Sequence, residues 1–499
     1  MKILLVSPSS SFPDVTPGWL RISQLALPLL AALTPPRHEV RMVEDEHEKL
    51  PLDEHWDLAG ITAMTATATR AYEIAAGLRT RGTKVVLGGI HPSVLPGEAI
   101  RFADAVVIGE AEGAWPRVLH DAEHGRLERF YHNPQPDISA SPLPARRPRR
   151  TLFGLPPCVM PIQATRGCPH DCEFCCVHRV YGRGERHLPI EHIVADIRRH
   201  SPKRVMFLDD NVGARRSYAL RLFAALKPLR TRWSGQATVG FILDDELFRA
   251  AVDSGCEGLF VGIESVEPAA RKSIHKCAPP ISACEQAIRR CSAAGVLFHA
   301  SLIFGLDEQT PAAFEHTLEF LLRNSVPSTS SNILTPYPGT RLFERYMREG
   351  RILHTRWAYY DHMTVCYEPK GMEPAELSEK YLDFLRRFFS WGSILKRSWA
   401  QWRVAPLVYL GMNLAFRGRA RVRRKRFREY FRWLGERRAK PTWDGWLAGG
   451  AMRTEAQAAT AGAVARGDWP DAVGEGQDGP LVVTGEHRET GAWHTGEEK

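Results

Sequence analysis

The sequence predicts an α/β protein in which a doubly wound, Rossmann-like domain precedes a (β/α)6 partial TIM barrel and a mainly helical C-terminal region. Two observations predict this fold class. Short apolar, β-branched runs alternate with helix-like stretches through the first 135 residues, and the same alternation resumes at Cys158. Strands that alternate with helical patterns of about 10–15 residues are typical of parallel sheets, whose ligands bind beyond the carboxyl ends of the strands.

Residues 1–135 are predicted to form the first domain. Helical patterns at 22–33 and 69–80 lie among five strand-like runs, at residues 2–7, 39–43, 58–62, 84–87 and 104–108. The residues at the carboxyl ends of these runs are the candidate ligand contacts of the domain: Pro8, Thr62, Gly88, Gly89, Gly109 and Glu110. Glycine at such positions lets the backbone approach a bulky ligand closely.

Residues 136–157 are predicted to form a linker. Seven prolines lie between 134 and 157, and four arginines lie between 146 and 150. Proline fixes φ and removes a backbone donor, so this density excludes regular helix or strand.

Residues 158–345 are predicted to form the barrel. Helical patterns at 190–199, 217–227, 245–254 and 281–294 separate strand-like runs at 159–163, 204–208, 234–239, 258–263, 298–304 and 331–334. Six successive β/α units favour a partial barrel, with function at the carboxyl ends of its strands. No C-x-x-C pair occurs among Cys256, Cys277, Cys284 and Cys291, so these are expected to be small buried side chains.

Composition narrows the class of protein. The 499 residues are 44% hydrophobic and 25% charged, which excludes a mostly disordered or fibrous chain. Ten cysteines are too few for a disulfide scaffold, and the apolar run at the start is too short for the core of a signal peptide. A cytoplasmic, reducing location is therefore expected.

Cys168, Cys172 and Cys175 form a C-x3-C-x2-C motif just after the first predicted barrel strand. Three thiolates at this spacing can hold three irons of a 4Fe–4S cluster, which leaves the fourth iron open to another ligand. A structural zinc site is the alternative, with Cys176 or His178 as the fourth ligand.

In this strand context the motif resembles that of the radical SAM enzymes. The resemblance implies that the open iron binds S-adenosylmethionine (SAM), whose reductive cleavage yields a 5′-deoxyadenosyl radical. It also implies SAM contacts from Phe174, Asp209, Glu264 and Gly305. At the second strand end an Asp-Asp-Asn sequence stands where many members carry a glycine-rich turn. A barrel-mouth ion pair is the alternative role of Glu264.

The segments LGGIHPS (87–93) and VIGEAEGAWP (107–116) resemble the cobalamin-binding domain of the B12-dependent radical SAM subclass. The resemblance covers roughly residues 1–390 and implies that the first domain binds cobalamin through the strand-end residues named above. The Asp-x-His-x-x-Gly motif that supplies a cobalt ligand in classical base-off proteins is absent after the first strand. His47 is interpreted as a surface residue, which leaves the lower cobalt ligand unassigned.

The resemblance implies a C-methyltransferase that acts on an unactivated carbon of a lipid-like or secondary-metabolite substrate. Such chemistry consumes two SAM molecules and needs an external electron donor of the flavodoxin or ferredoxin type. It is based on cofactors, so no side chain is assigned a catalytic role, although His299 and Asp307 could orient substrate. Radical cyclisation without methyl transfer is one alternative, and a cobalamin- or metal-binding regulatory protein that contacts nucleic acid through residues 417–440 is another.

The basic charge is concentrated near the C-terminus. Residues 396–440 contain 15 basic and two acidic residues, a net charge of +13. Because the whole chain has a net charge of +9, the rest of the chain has a net charge of −4. This distribution argues against general nucleic-acid binding. Residues 346–440 are predicted to be helical, and 398–440 combine an apolar stretch, too short to span a bilayer, with arginines that suit peripheral membrane contact. A solvated basic helix is the alternative, and residues 441–499 are predicted to be disordered.

Overall fold

Six parallel strands form the N-terminal sheet of the computed structural model, which describes residues 1–10, 24–133, 135–146, 159–274, 279–400, 406–436 and 440–448. Their order is β2-β1-β3-β4-β5-β6. The strands are β1 (Lys2–Ser7), β2 (Glu39–Glu44), β3 (Leu58–Thr62), β4 (Lys84–Gly88), β5 (Ala105–Gly109) and β6 (Phe130–Asn133). The five predicted strands are present, and β6 is a short edge strand that the sequence analysis missed.

Helices cover both faces of this sheet, as the near-continuous apolar strands require. Neighbouring residues of β1 enter different cores: Leu4 and Val6 belong to one buried cluster, and Ile3 and Leu5 to another. The helices are α1 (Ala26–Leu33), α2 (Ala68–Arg79), α3 (Ile90–Val94), α4 (Pro96–Ala99) and α5 (Ala111–Glu123). The domain is therefore doubly wound, as predicted.

The second sheet is also parallel and has six strands, in the order β7-β10-β11-β12-β13-β14. Its strands are β7 (Met160–Ile162), β10 (Arg204–Phe207), β11 (Arg232–Ala237), β12 (Cys256–Glu264), β13 (Leu297–Phe304) and β14 (Ser328–Ile333). A small antiparallel pair, β8 (Thr165–Arg166) and β9 (Arg186–His187), follows β7. Because β7 and β14 both remain edges of the sheet, the barrel is partial, as predicted.

Helices join successive strands of this sheet and bury one of its faces. They are α6 (Val177–Tyr181), α7 (Ile190–His200), α8 (Arg216–Leu226), α9 (Val239–Leu243), α10 (Asp245–Asp253), α11 (Pro268–Ser273), α12 (Ile281–Ala294) and α13 (Ala312–Arg323). Leu259, Val261 and Ala300 are fully buried, whereas Phe260, Ser301 and Ser330, which alternate with them, are half-buried. Part of the second face of the sheet is thus left accessible, while His299 on the same face is buried near Phe416 of the C-terminal region.

The C-terminal region is helical, but its boundaries differ from those expected. It contains α14 (Arg341–Arg348), α15 (Pro374–Phe388), α16 (Trp391–Ala400), α17 (Pro406–Gly435) and α18 (Trp443–Ala448). The predicted boundary at residue 345 was wrong because it cuts α14. The predicted start of disorder at 441 was also wrong, since Trp446 packs edge-on against Phe343 and Trp357. Residues 449–499 lie outside the described residues.

The described part of the predicted linker, residues 135–146, contains neither helix nor strand. It is nevertheless not a simple spacer. Arg146 donates to Asp196 of α7, with Nη2 2.7 Å from Oδ2, and to the carbonyl of Pro161 at 2.8 Å. Its prolines prevent regular structure, while Arg146 fixes the chain against the barrel.

Candidate functional site

A cavity of about 490 Å³ lies between the carboxyl edge of the N-terminal sheet and the mouth of the barrel. Five of the six predicted strand-end residues line it: Thr62, Gly88, Gly89, Gly109 and Glu110. Pro8 is not among the lining residues. The opposite wall includes Gln163, Arg166, Tyr181, His192 and Asp210 of the barrel, and residues 141–144 and Arg146 of the linker complete it.

Gly89 shows why this edge needs glycine. Its φ is +98°, and a Cβ atom built there would lie 2.8 Å from both the Ala63 carbonyl and Thr62 Oγ1. Ser93 then ties two strand ends together: its hydroxyl donates to the Gly89 carbonyl at 2.7 Å and accepts from the Gly109 amide at 2.9 Å. The segment 87–93 therefore shapes the floor of the cavity with backbone atoms.

Glu110 joins the two sides of the cavity. Its carboxylate, 1% exposed, accepts hydrogen bonds from Arg166 of β8 and from Arg186 of β9. Arg166 also donates to Glu112 at 2.7 Å and to the side chain of Gln163 at 2.9 Å. Burial by itself would lower the pKa of Arg166, but the charges of Glu112 and Glu110 outweigh it and raise that pKa.

The cysteine motif lies on the loop that leaves β8, two residues beyond Arg166. Cys172 is buried, and Cys168 and Cys175 are half-buried. The Cys175 amide donates to the Cys172 carbonyl at 3.1 Å, so a tight turn brings these two residues together. Burial raises the pKa of the Cys175 thiol well above its usual range, and Cys176 and Asp210 add to the effect.

Two arginines of α14 hold this loop from the other side. Arg341 donates to the Asp171 carbonyl at 2.8 Å and to its carboxylate at 2.9 Å. Arg345 binds both carboxylate oxygens of Glu173, at 2.7 and 3.0 Å. The acidic residues between the cysteines thus fix the loop through ion pairs to α14.

The donor set fits a 4Fe–4S cluster. Three thiols on one partly buried loop, beside the carboxyl ends of parallel strands, supply three iron ligands and protection from water. The thiols would lose their protons on binding iron, and the positive charge of the metal would offset the penalty that burial imposes on the thiolates. Within the described residues, no three Cys, His, Asp or Glu side chains converge as a ready-made site for a single metal ion. His178, considered as a zinc ligand, lies 3.3 Å from Asp171.

Asp209 has a structural role that the sequence analysis did not foresee. Its carboxylate is buried and accepts hydrogen bonds from the amides of Ala164 and Thr165 and from the Thr165 hydroxyl. These bonds fix residues 164–165 against the end of β10, and a direct SAM contact from Asp209 stays a prediction. Its neighbour Asp210 lines the cavity, and burial, reinforced by Asp209, raises the pKa of Asp210 to about 6.

Glu264 and Gly305 end neighbouring barrel strands. Glu264 is 7% exposed and has a φ of +63°, at a point where the pairing of β12 with β13 shifts register. Such a conformation costs a non-glycine residue on the order of 1 kcal/mol and often marks a functional position. Gly305 is needed for packing, since a Cβ atom there would lie 2.3 Å from the Tyr367 hydroxyl.

Phe174 and Asp307 both lie behind the cysteine loop. Phe174 packs against the barrel core beside Leu306 and Leu342. Asp307 forms ion pairs with Arg345 and Arg351, and so belongs to the network that holds the cysteine loop.

The other histidines and cysteines considered above differ in burial. His299 is buried, and burial lowers its pKa to about 3. His47 is exposed and does not line the cavity. Cys256, Cys284 and Cys291 are buried, as predicted, and Cys277 lies outside the described residues.

The sequence analysis missed the residues that connect the two sides of the cavity. Arg166 and Arg186 were not singled out, although Arg166 lies only two residues before Cys168. Charged residues on two segments that are 76 positions apart, such as Glu110 and Arg186, carry no local pattern. Only the docking of the two sheets reveals the pair.

Two family models match the chain. Residues 34–119 match the B12 binding domain, and residues 162–321 match the Radical SAM superfamily. Together with the cavity and the cysteine loop, these matches define the class: a radical SAM enzyme with a cobalamin-binding domain.

Known proteins narrow the class to one family. A bacteriochlorophyllide d C-8(2)-methyltransferase of Chlorobaculum tepidum is 30% identical over 81% of this chain and 93% of its own length. The C-12(1)-methyltransferase of the same organism is 28% identical over 79% of this chain and 89% of its own. A hopanoid C-2 methylase of Rhodopseudomonas palustris is 28% identical over 65% of this chain and 64% of its own.

A solved structure shows the same fold. The radical SAM methyltransferase TsrM of Kitasatospora setae, with cobalamin and a 4Fe–4S cluster bound, covers 70% of this chain and 78% of its own, with a TM-score of 0.57 and 16% identity. The chain belongs to the cobalamin-dependent radical SAM methyltransferases, whose cofactors are a 4Fe–4S cluster, SAM and cobalamin.

Proposed function

We propose that this enzyme methylates an unactivated carbon on the periphery of a tetrapyrrole. Two relatives matched over about nine-tenths of their length are named as bacteriochlorophyllide methyltransferases, which supports this substrate class. The observation that carries the proposal of methyl transfer is that the strand-end glycines and the barrel mouth line the same cavity. Both cofactors could address one substrate carbon there.

When bound, the cofactors supply the chemistry: the cluster and SAM provide a 5′-deoxyadenosyl radical that removes hydrogen, and methylated cobalamin provides the methyl group. The chain's own task is to position these groups and to exclude water. Cys168, Cys172 and Cys175 are the proposed cluster ligands, and Phe174 and Glu264 are the proposed SAM contacts. Asp209 and Gly305, also predicted as SAM contacts, would act by fixing the strand ends.

The N-terminal domain would hold cobalamin mainly through backbone atoms. Thr62, Gly88, Gly89 and Gly109 form the open edge on which a flat macrocycle could lie. Glu110 would act indirectly, because its carboxylate is engaged by two arginines. Pro8 stays a proposed contact next to residues 11–23, which lie outside the described residues.

Apolar side chains would keep water away from the reacting groups. Val177, Tyr181, Leu188 and Ile193 line the barrel side of the cavity. The accessible face of the second sheet carries Phe260 together with the polar side chains of Ser234, Gln236, Ser301 and Asn332, which could contact both apolar and polar groups of a large substrate.

A flavodoxin- or ferredoxin-type protein is the proposed electron donor. The proposed location is the cytoplasm, with peripheral contact at the inner face of the membrane through residues of the C-terminal region. Among the described helices, none combines the length and the hydropathy that crossing a bilayer requires.

The test is an anaerobic reconstitution of the full chain with iron, sulfide and hydroxocobalamin. Dithionite, methyl-labelled SAM and bacteriochlorophyllide d are added, and products are followed by mass spectrometry. Cys172→Ala should abolish the cluster absorbance and 5′-deoxyadenosine. Cys176→Ala is the matched control and should retain both, because the three-cysteine motif is intact.

The products separate the alternatives. Methyl transfer yields S-adenosylhomocysteine and 5′-deoxyadenosine together with a labelled tetrapyrrole. Formation of 5′-deoxyadenosine and an unlabelled, altered product would favour cyclisation or rearrangement. Equal loss of bound metal in the two variants, with zinc present and no SAM cleavage, would contradict the cluster assignment.

A further inference from the structure

Helix α16 presents large apolar side chains to solvent along one face. Trp391 is 52% exposed, Leu395 is 60% exposed and Trp399 is 85% exposed. Successive members of this set are four residues apart and therefore lie on the same side of the helix. We refer to these three residues as the α16 stripe. On the other side of α16, Ile394 and Arg397 are buried.

Such a stripe is unusual for a surface that faces only water. Single exposed apolar residues are common, but contiguous ones mark contact with a partner or a membrane. Tryptophan suits the boundary between water and lipid, because its ring is apolar while its N–H remains a donor. Two of the three residues of the stripe are tryptophans.

Positive charge lies beside the stripe. The guanidinium of Arg417, on α17, is 5.0 Å from the centre of the Trp391 ring. Arg424 and Arg428 follow Arg417 by seven and eleven residues, which returns them to nearly the same side of the helix. Both are exposed, as is Lys396 on α16.

Another side of α17 packs against the protein itself. Phe427 and Tyr430, about 80° and about 140° around the helix from Arg417, are buried, and the Tyr430 hydroxyl donates to the Val365 carbonyl. The apolar stretch that the sequence analysis placed at a membrane is therefore in part a packing surface. The exposed apolar groups begin earlier in the chain, on α16.

We infer that the α16 stripe and three arginines of α17, Arg417, Arg424 and Arg428, form a contact surface for an anionic lipid bilayer. The tryptophan and leucine side chains would enter the boundary between headgroups and acyl chains. Lys396, Arg424 and Arg428 would face the anionic headgroups, which attract basic residues near the membrane surface. The inference deepens the peripheral location proposed above and rests on it.

Vesicle flotation of the full chain tests the surface. Vesicles are made of phosphatidylcholine alone or of phosphatidylcholine mixed with phosphatidylglycerol. Wild-type protein should float with the anionic vesicles and bind the neutral ones at least about tenfold more weakly. Leu395→Ser with Trp399→Ser should lower anionic-vesicle binding about tenfold or more, because less apolar area enters the boundary.

Charge is tested separately. Arg424→Glu with Arg428→Glu should weaken binding to anionic vesicles about tenfold and flatten its dependence on salt. The controls are Phe102→Ser, which removes an exposed aromatic residue of the N-terminal domain, and Arg249→Glu with Arg289→Glu on barrel helices. Both controls should bind as the wild type does. Far-ultraviolet circular dichroism verifies that every variant is folded.

Several outcomes would overturn the inference. One is that the wild-type protein binds neither kind of vesicle. Another is that the stripe variants bind anionic vesicles as well as the wild type does. If the wild type binds no vesicle and is a dimer that Trp399→Ser converts to a monomer, the stripe joins two copies of the chain instead. The experiment needs neither cofactor nor substrate, so its failure would leave the methyltransferase assignment untouched.

Discussion

Substituting Glu110 tests whether the buried ion pairs between the two sheets hold the cavity together. Glu110→Gln preserves the shape of the side chain but removes its charge. The carboxylate accepts hydrogen bonds from Arg166 and from both terminal nitrogens of Arg186. Removal of one partner of a buried ion pair costs about 3–5 kcal/mol, because the remaining charge stays buried without compensation.

The structure places the expected loss at the lower end of that range. Arg166 keeps a second carboxylate, Glu112, at 2.7 Å. Arg186 is left with the carbonyls of Pro136 and Tyr181, and its side chain is 19% exposed, so water can solvate part of the charge. We expect Glu110→Gln to lower the free energy of unfolding by about 3 kcal/mol.

Urea unfolding of the cofactor-free protein, followed by tryptophan fluorescence, measures this loss. Arg186→Gln and the double variant complete a thermodynamic cycle, and their coupling to Glu110→Gln should be about 2 kcal/mol. Glu128→Gln is the control: its partner Arg117 is 3.7 Å away and both side chains are more than half exposed, so the loss should be about 0.5 kcal/mol or less. A loss below about 1 kcal/mol for Glu110→Gln, or additive effects in the cycle, would refute the reasoning.

Two further predictions concern the cavity floor and the network behind the cysteine loop. Gly89→Ala should weaken hydroxocobalamin binding about tenfold or more, because the new Cβ would clash with the backbone of the cavity floor. Equilibrium dialysis measures the binding. Gly77→Ala is the control and should bind hydroxocobalamin as the wild type does, since no atom lies within 4 Å of its new Cβ. At Asp307 burial is outweighed by the hydrogen bonds and charge of Arg351 and Arg345, which lower the pKa from 3.8 to about 2. Because a depressed carboxyl pKa stabilises the fold above the unfolded pKa, Asp307→Asn should cost about 2 kcal/mol near neutral pH. The difference in the free energy of unfolding between the wild type and this variant should disappear as the pH falls from about 4 to 2. Urea unfolding at several pH values measures it, and a difference that does not change with pH would contradict the assignment.

Much of the fold followed from local patterns. The predicted helix at 281–294 has the same bounds as α12, and the predicted strand at 58–62 has those of β3. These segments combine strong periodicity with clear breaks, so propensity and packing favour the same structure. β6 was missed because four residues on a sheet edge carry too little apolar pattern.

Predictions for the individual site residues were less secure. The spacing of the three cysteines is itself the chemical signal, so no folding was needed to find it. Asp209 stands at the predicted strand end, but only the structure shows that its carboxylate holds residues 164–165. Sequence position identified the strand end. Whether Asp209 or Asp210 faces the cavity depends on residues 164–165, whose amides Asp209 binds.

The sequence by itself determined the succession of two parallel-sheet domains, the cysteine loop and the concentration of basic residues near the C-terminus. Each is a short-range property, set by periodicity, spacing or composition. Tertiary structure decided how Glu110 meets Arg186, which side of α17 is buried, and that α16 carries the exposed stripe. These features depend on contacts between segments far apart in the chain, whose partners are chosen by packing of the whole fold.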